Sequence, residues 1–142
     1  MQANIRAHWK GSLKTGKGHF TSKNPLLHET GYHFSEQHPN KRTSVPEEFL
    51  AAAHTACFNM TFAMILSQNG LEANFITTEC TITYSGDQVS HATLHVNASI
   101  SDISQDEFTR LIKEAKELCP IGRAFNYPVS ITSELFSHSQ NE

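Results

Sequence analysis

Three cysteines, Cys57, Cys80 and Cys119, are the residues of this chain best suited to chemistry. An odd, small number of cysteines does not make the disulfide framework of a small secreted domain. In a reducing compartment they are thiols, and any disulfide between two of them is a step in a reaction. Cys57 lies near the middle of PEEFLAAAHTACFNMTFAMIL, residues 46–66, with His54 one helical turn before it. Cys119 follows a charged stretch and precedes Pro120. Proline disfavours a helical conformation at position 119 and suits the first residue of a new helical turn. Cys119 then caps that turn, where a helix N-terminus supports a thiolate. One cysteine on a rigid helix and one at a junction suit a nucleophile and its resolving partner. Spacing leaves open whether they meet, and burial of each as a small hydrophobe is the alternative.

Other constellations are weaker. His54 and Cys57, three residues apart, can face one metal, with Cys119 as a third ligand, but no CxxC or HxxxH completes a tetrahedral set. His91 and His95 share a strand face with polar neighbours and read as solvated. Cys80 alternates with Ile76, Ile82 and Tyr84 and reads as core packing. GSLKTGKG, residues 11–18, nearly matches a phosphate-binding loop. Position 18, however, is Gly where a Mg²⁺-binding hydroxyl is needed, and no long helix starts there. A glycine-rich hairpin is the better reading.

Several elements must position these thiols. Short β-like runs broken by glycine fill the first forty residues and predict two or three antiparallel strands. SEQHPNKRTS reads as an exposed loop. Ser44 and Glu47 have capping-box spacing, Pro46 falls in the first turn and Gly70 lies past the end, which bounds a helix. Its apolar residues fall all round the wheel, so it is expected to be buried on most sides. ITTECTITYS and HATLHVNASI alternate strictly and pair as a hairpin through Gly86. SQDEFTRLIKEAKEL opens with a second box, Ser104 to Glu107. It carries a single stripe of Phe108, Leu111, Ile112, Ala115 and Leu118, as a helix lying on a sheet does. YPVSITSELF closes as a strand, and residues 137–142 read as a frayed tail.

The 142 residues suit one domain over 1–142 with a core of its own. A net charge of −3 with interspersed signs gives no basic face for nucleic acid. MQANIRAHWK lacks the apolar region of a secretory signal, and His54, Thr55, Asn59 and Thr61 interrupt the most apolar stretch short of a membrane span. The expected compartment is the cytoplasm.

VPEEFLAAAHTACFNM resembles the signature helix of the OsmC/Ohr family, the osmotically inducible and organic hydroperoxide resistance proteins. ELCPIGRAF resembles that family's second cysteine segment, and AHWKGSLKTGKGHF the first hairpin of its OsmC branch. The resemblance runs from about residue 3 to residue 136. It implies an α+β fold with antiparallel sheets, a long buried central helix and an intertwined homodimer with sites near the subunit interface. It also implies reduction of organic hydroperoxides without metal or other cofactor, reset by a dithiol, lipoyl-type in better known members. Carried over, Cys57 is the peroxidatic thiol, Cys119 the resolving thiol and Glu47 the active-site carboxylate. Ten helical residues rise roughly 15 Å, so Glu47 does not touch Cys57 within one straight helix, and delivery from the other subunit is preferred. The family's activating arginine falls at Gln37 here. Arg42 is the nearest replacement, with Lys41 adjoining and Arg123 second. The alternative function is a non-catalytic dimer of the same fold that binds a hydrophobic ligand or electrophile.

Overall fold

The computed structural model describes residues 1–34 and 42–136. Gln37, Lys41 and the tail 137–142 lie outside the described residues. The chain divides into two compact units, Met1–Leu50 and Ala51–Glu142.

In the first unit, β1 (Arg6–Lys10), β2 (Lys17–Thr21) and β3 (Gly31–Tyr32) form an antiparallel sheet in that order. Arg6 stands opposite Thr21, and Gly18 opposite Tyr32. GSLKTGKG spans the turn of the first hairpin, where Gly11 takes φ +99° and Gly16 N donates to Ser12 O at 2.7 Å. Position 18 must be glycine for a packing reason, since a Cβ there would lie 2.2 Å from Tyr32 Cζ. The Tyr32 ring stacks on Phe20 at 4.8 Å. The glycine that spoils a phosphate loop is the floor beneath an aromatic ring.

Helix α1 (Pro46–Gln68) begins in this unit and continues into the second. Ser44 Oγ donates to Glu48 Oε1 at 2.7 Å, one residue beyond the Glu47 expected of a capping box. The C-terminus ends as the sequence requires. Gly70 takes φ +70°, Leu71 N reaches Leu66 O at 2.9 Å and Gly70 N reaches Ser67 O at 3.1 Å, a Schellman closure.

In the second unit, β4 (Ala73–Ser85) pairs antiparallel with β5 (Gln88–Ile100) around Gly86 at φ +67°. Helix α2 (Gln105–Leu118), helix α3 (Pro120–Ala124) and strand β6 (Val129–Phe136) follow. The second box forms as expected, with Ser104 Oγ accepting from Glu107 N at 3.1 Å. β6 pairs with β5 in parallel, so this sheet is mixed rather than wholly antiparallel. The reason is the connection. Two helices carry the chain back from the end of β5 to its start, and a crossover of that length delivers a parallel neighbour.

One core serves α1, β5 and α2. Phe58, Phe62 and Ile65 of α1, Leu94 and Val96 of β5, and Phe108 and Leu111 of α2 are fully buried in it. Burial of α1 is one-sided rather than on most sides. Phe58, Phe62, Ile65 and Leu66 turn inward, while Ala52, Ala53, Ala56, Met60, Ala63 and Met64 are exposed. Burying the larger side chains removes more apolar area from water, which settles an orientation that periodicity alone leaves open. By length and composition α1 is also apolar enough to cross a membrane, with mean hydropathy 1.5. The four polar residues expected to interrupt the stretch do not lower that average enough, and two of them, His54 and Thr61, are buried in the core.

The Phe62 ring lies 6.1 Å from those of both Phe58 and Phe108. Phe62→Ala should therefore cost about 3–5 kcal/mol of unfolding free energy in urea titrations. A cost below about 1 kcal/mol would contradict this core.

Candidate active site

α1 and the α2–α3 break bring two thiols together. Cys57, half-buried, packs against the common core from α1, and Cys119, 1% exposed, belongs to it. The α2 helix ends as Cys119 N donates to Ala115 O at 2.9 Å. Pro120 then opens α3, whose first full turn closes from Arg123 N to Cys119 O at 3.0 Å. Cys119 is thus the N-cap of a short helix, as its sequence requires. Its thiol lies close enough to that of Cys57 to be perturbed by it, and the two residues pack on the same core.

The electrostatics of Cys119 differ from the expectation of a helix-supported thiolate. Burial, the largest cause, pushes its pKa up. The Gly122 backbone N–H opposes this, the hydrogen bond and charge of Cys57 add to it, and the Ile121 N–H opposes more weakly. The net direction is upward, so Cys119 keeps its proton. Two amides at the end of a five-residue helix do not offset the loss of water.

Beside the pair lies a cavity of about 560 Å³. Ala53, Cys57, Met60 and Met64 of α1 line one side, and Leu118, Pro120 and Ile121 the other. None of these side chains carries a charge. Phe58, the neighbour of Cys57 in sequence, is not among them because it faces the core. Leu118, assigned to the buried stripe of α2, is 42% exposed and joins the cavity wall.

Two further ionisable groups approach the thiols. His54 is 1% exposed, and burial lowers its pKa. Its Nδ1 lies 3.5 Å from the Tyr127 hydroxyl, and the two rings meet edge to face. Tyr127 is pushed up by burial first, then by the charges of Cys80 and Cys119. Cys80, half-buried on β4, packs on the same core as expected, and burial raises its pKa. The sequence offered no signal for Tyr127, which stands 73 residues from its histidine partner.

The remaining site residues fall elsewhere. Arg42, exposed, precedes α1, and Glu47 occupies the first turn of that helix; both belong to the first unit, whereas the thiol pair belongs to the second. Arg123 is exposed on α3. Arg110 faces Glu107 and Glu114 along α2, at 3.6 and 3.9 Å. Among the described residues no group of three or more His, Cys, Asp or Glu side chains is arranged to hold a metal ion.

Comparison with known proteins bears on this geometry. The family described as OsmC-like protein matches residues 39–134. Peroxiredoxin OsmC of Escherichia coli is 26% identical over 136 residues, covering 93% of this chain and 95% of that one. An organic hydroperoxide resistance protein-like protein of Staphylococcus aureus is 31% identical over 83 residues, covering 56% and 59%. Among solved structures, an OsmC-like protein from Mycoplasma pneumoniae superposes with a TM-score of 0.78 at 14% identity, covering 95% and 97%. The organic hydroperoxide resistance protein OhrB of Bacillus subtilis gives 0.67 at 22%, covering 94% and 98%. These structures share the fold.

Iodoacetamide should modify Cys57 well before Cys119 in the reduced protein. Cys119 should gain reactivity only above the ordinary thiol value of about 8.5. Peptide mass spectrometry reads both, and equal labelling at neutral pH would contradict the geometry. For His54 the sign is opposite. The unfolded chain takes up that proton more readily, so the stabilisation is complete above about pH 6.5 and is lost as pH falls through the lowered folded value. Urea midpoints should therefore fall less in His54→Gln than in the parent between about pH 7 and 5.

Proposed function

The chain belongs to the OsmC-like protein family, and we propose that it is a thiol-dependent peroxidase that reduces organic hydroperoxides to alcohols. One observation carries this reading: Cys57 and Cys119 pack on one core, and the apolar cavity beside them is lined by Cys57 and by Leu118 and Pro120, which flank Cys119. The names of the relatives, peroxiredoxin and organic hydroperoxide resistance protein-like, support a redox, peroxide-related role.

In this reading the organic group of the hydroperoxide lies against Met60, Met64 and Ile121. The Cys57 thiolate attacks the distal oxygen, the O–O bond breaks and the alcohol leaves, giving a sulfenic acid on Cys57. Cys119 condenses with it, water leaves and a disulfide joins the two residues, which requires Cα atoms about 4.4–6.8 Å apart. A dithiol, lipoyl-type by analogy, restores both thiols by exchange. The steps use no metal, haem or flavin. A reducing cytoplasm suits such a cycle.

Among the described residues that line the cavity, none offers the Cys57 thiolate a positive charge. Arg42 fills that role in this proposal, oriented by Glu47, and both come from a second copy of the chain. The exposed face of Met60 and Met64, 73% and 48% accessible, is the surface a second copy would cover. A nearby cation favours the thiolate, so this dimer is a condition of activity. The same uncharged lining favours a second reading, in which the dimer binds a hydrophobic ligand or electrophile without turnover.

Single-turnover loss of cumene hydroperoxide separates the two. It should vanish in Cys57→Ser, and in Cys119→Ser proceed once and stall as sulfenic acid. Arg42→Ala should slow it by about tenfold, the scale of one pKa unit in thiolate fraction. Loss no faster than with a free thiol would favour the binding reading.

A further inference from the structure

The cavity beside Cys57 is walled on one side by thioethers. Cys57, Met60 and Met64 follow one another at i, i+3 and i+7 along α1, so they share one helix face, and all three line the same cavity. Side chains three residues apart on a helix carry their Cβ atoms about 5–6 Å from one another, which makes Met60 the immediate helical neighbour of the thiol. Neither methionine is sealed into the core, since Met60 is 73% exposed and Met64 48%. Leu118, Pro120 and Ile121 close the opposite wall with hydrocarbon. Among the described residues of the lining, only Cys57 and these two methionines carry a sulfur that an oxidant can attack.

We propose that Met60 and Met64 are the residues a second hydroperoxide oxidises once Cys57 is tied into its disulfide, and that the resulting sulfoxides turn substrate away. This inference rests on the peroxidase reading above. While Cys57 is a thiolate it is the stronger nucleophile and takes the peroxide oxygen. After the disulfide forms, a peroxide whose organic group lies in the cavity meets thioethers instead. The methionine sulfur attacks the distal oxygen, the O–O bond breaks, and the hydroperoxide proton passes to the oxygen that leaves as the alcohol. The products are the alcohol and methionine sulfoxide. The peroxide gains the electron pair that the methionine sulfur gives up, so no further reagent enters.

A sulfoxide is polar where the thioether was apolar. An alkyl or aryl group then lies against a solvated S–O dipole that must lose water to admit it, which weakens binding. The reaction is thus a gauge of reductant supply. With dithiol plentiful, Cys57 returns to the thiolate before another peroxide arrives, and the methionines stay reduced. When dithiol runs short the cavity wall becomes polar, and methionine sulfoxide reductases reverse the change. A second copy of the chain seated over this face narrows access from bulk solvent, so the peroxide held in the cavity is the oxidant these residues meet. Exposure alone gives a different order, since Met1 is fully exposed and is not part of the cavity wall.

The test gives reduced protein an excess of cumene hydroperoxide without dithiol, with N-acetylmethionine amide added as a thioether in free solution. Peptide mass spectrometry follows each sulfur in time. The disulfide should form with the first equivalent. Sulfoxides at Met60 and Met64 should then appear roughly tenfold faster than at Met1 or on the free amide, the advantage of a held reactant over a dissolved one. Hydrogen peroxide has no organic group for the cavity to hold and should lose that preference. With dithiol restored, KM for cumene hydroperoxide should be raised about fivefold and return after treatment with methionine sulfoxide reductases. The Met60→Leu/Met64→Leu protein, compared with itself before and after the same pulse, should show no such rise. Methionines oxidised no faster than the free amide, a KM that stays put after they are oxidised, or an equal rise in the double variant overturns the proposal and leaves the peroxidase reading intact. A parent that forms no disulfide overturns that reading, and the proposal with it.

Discussion

Two neighbouring thiols, Cys119 buried and Cys57 half-buried on the same core, constrain nearly everything around them in this molecule. A thiol pair of this kind needs rigid supports on both sides, because a disulfide tolerates only a narrow range of backbone separations. α1 supplies one support, anchored by Phe58 and Phe62 in the common core. The α2–α3 break supplies the other, where Pro120 ends one helix, starts the next and leaves Cys119 at the joint. The parallel return of β6 follows from the same break, since the crossover that carries Cys119 also delivers the strand.

The pair is polar chemistry set in apolar surroundings, and that tension explains the site's other features. Burial favours the protonated form of Cys119, while the reaction assigned to it requires loss of that proton. Among the described residues of the cavity wall none supplies positive charge to Cys57, the sulfur proposed to meet the peroxide, which gives the proposed second copy its purpose. The small and flexible residues on the outer face of α1, Ala53, Met60 and Met64, both line the cavity and offer it surface to cover. Methionine suits this double duty because its unbranched side chain adapts to varied apolar partners.

What the sequence made legible was local. Ser104 caps α2, Gly70 closes α1 and Gly86 turns the hairpin, each within a few residues of its signal. Strand alternation placed Ala92, Leu94 and Val96 inward, and they are fully buried. What it left hidden depended on contacts across the chain. The parallel pairing of β6 with β5 is set by a crossover, and no pattern within either strand encodes it. α1 is apolar on both sides, so only packing distinguishes its inner Phe and Leu from its outer Ala and Met. Cys119 was read by its helix terminus, but burial in the core dominates its chemistry. Tyr127 carried no signal, because its meaning comes from a histidine on another element.

The central claim is that Cys57 and Cys119 become one covalent unit through oxidation by an organic hydroperoxide. Peptide mapping of the unmodified protein without reductant, after stoichiometric treatment with such a peroxide, tests it most directly. The account predicts one dominant cross-linked pair joining the α1 peptide to the α2–α3 peptide, reversed by a dithiol, with Cys80 still free. Two unlinked thiols, or a cross-link that bypasses either residue, would contradict it.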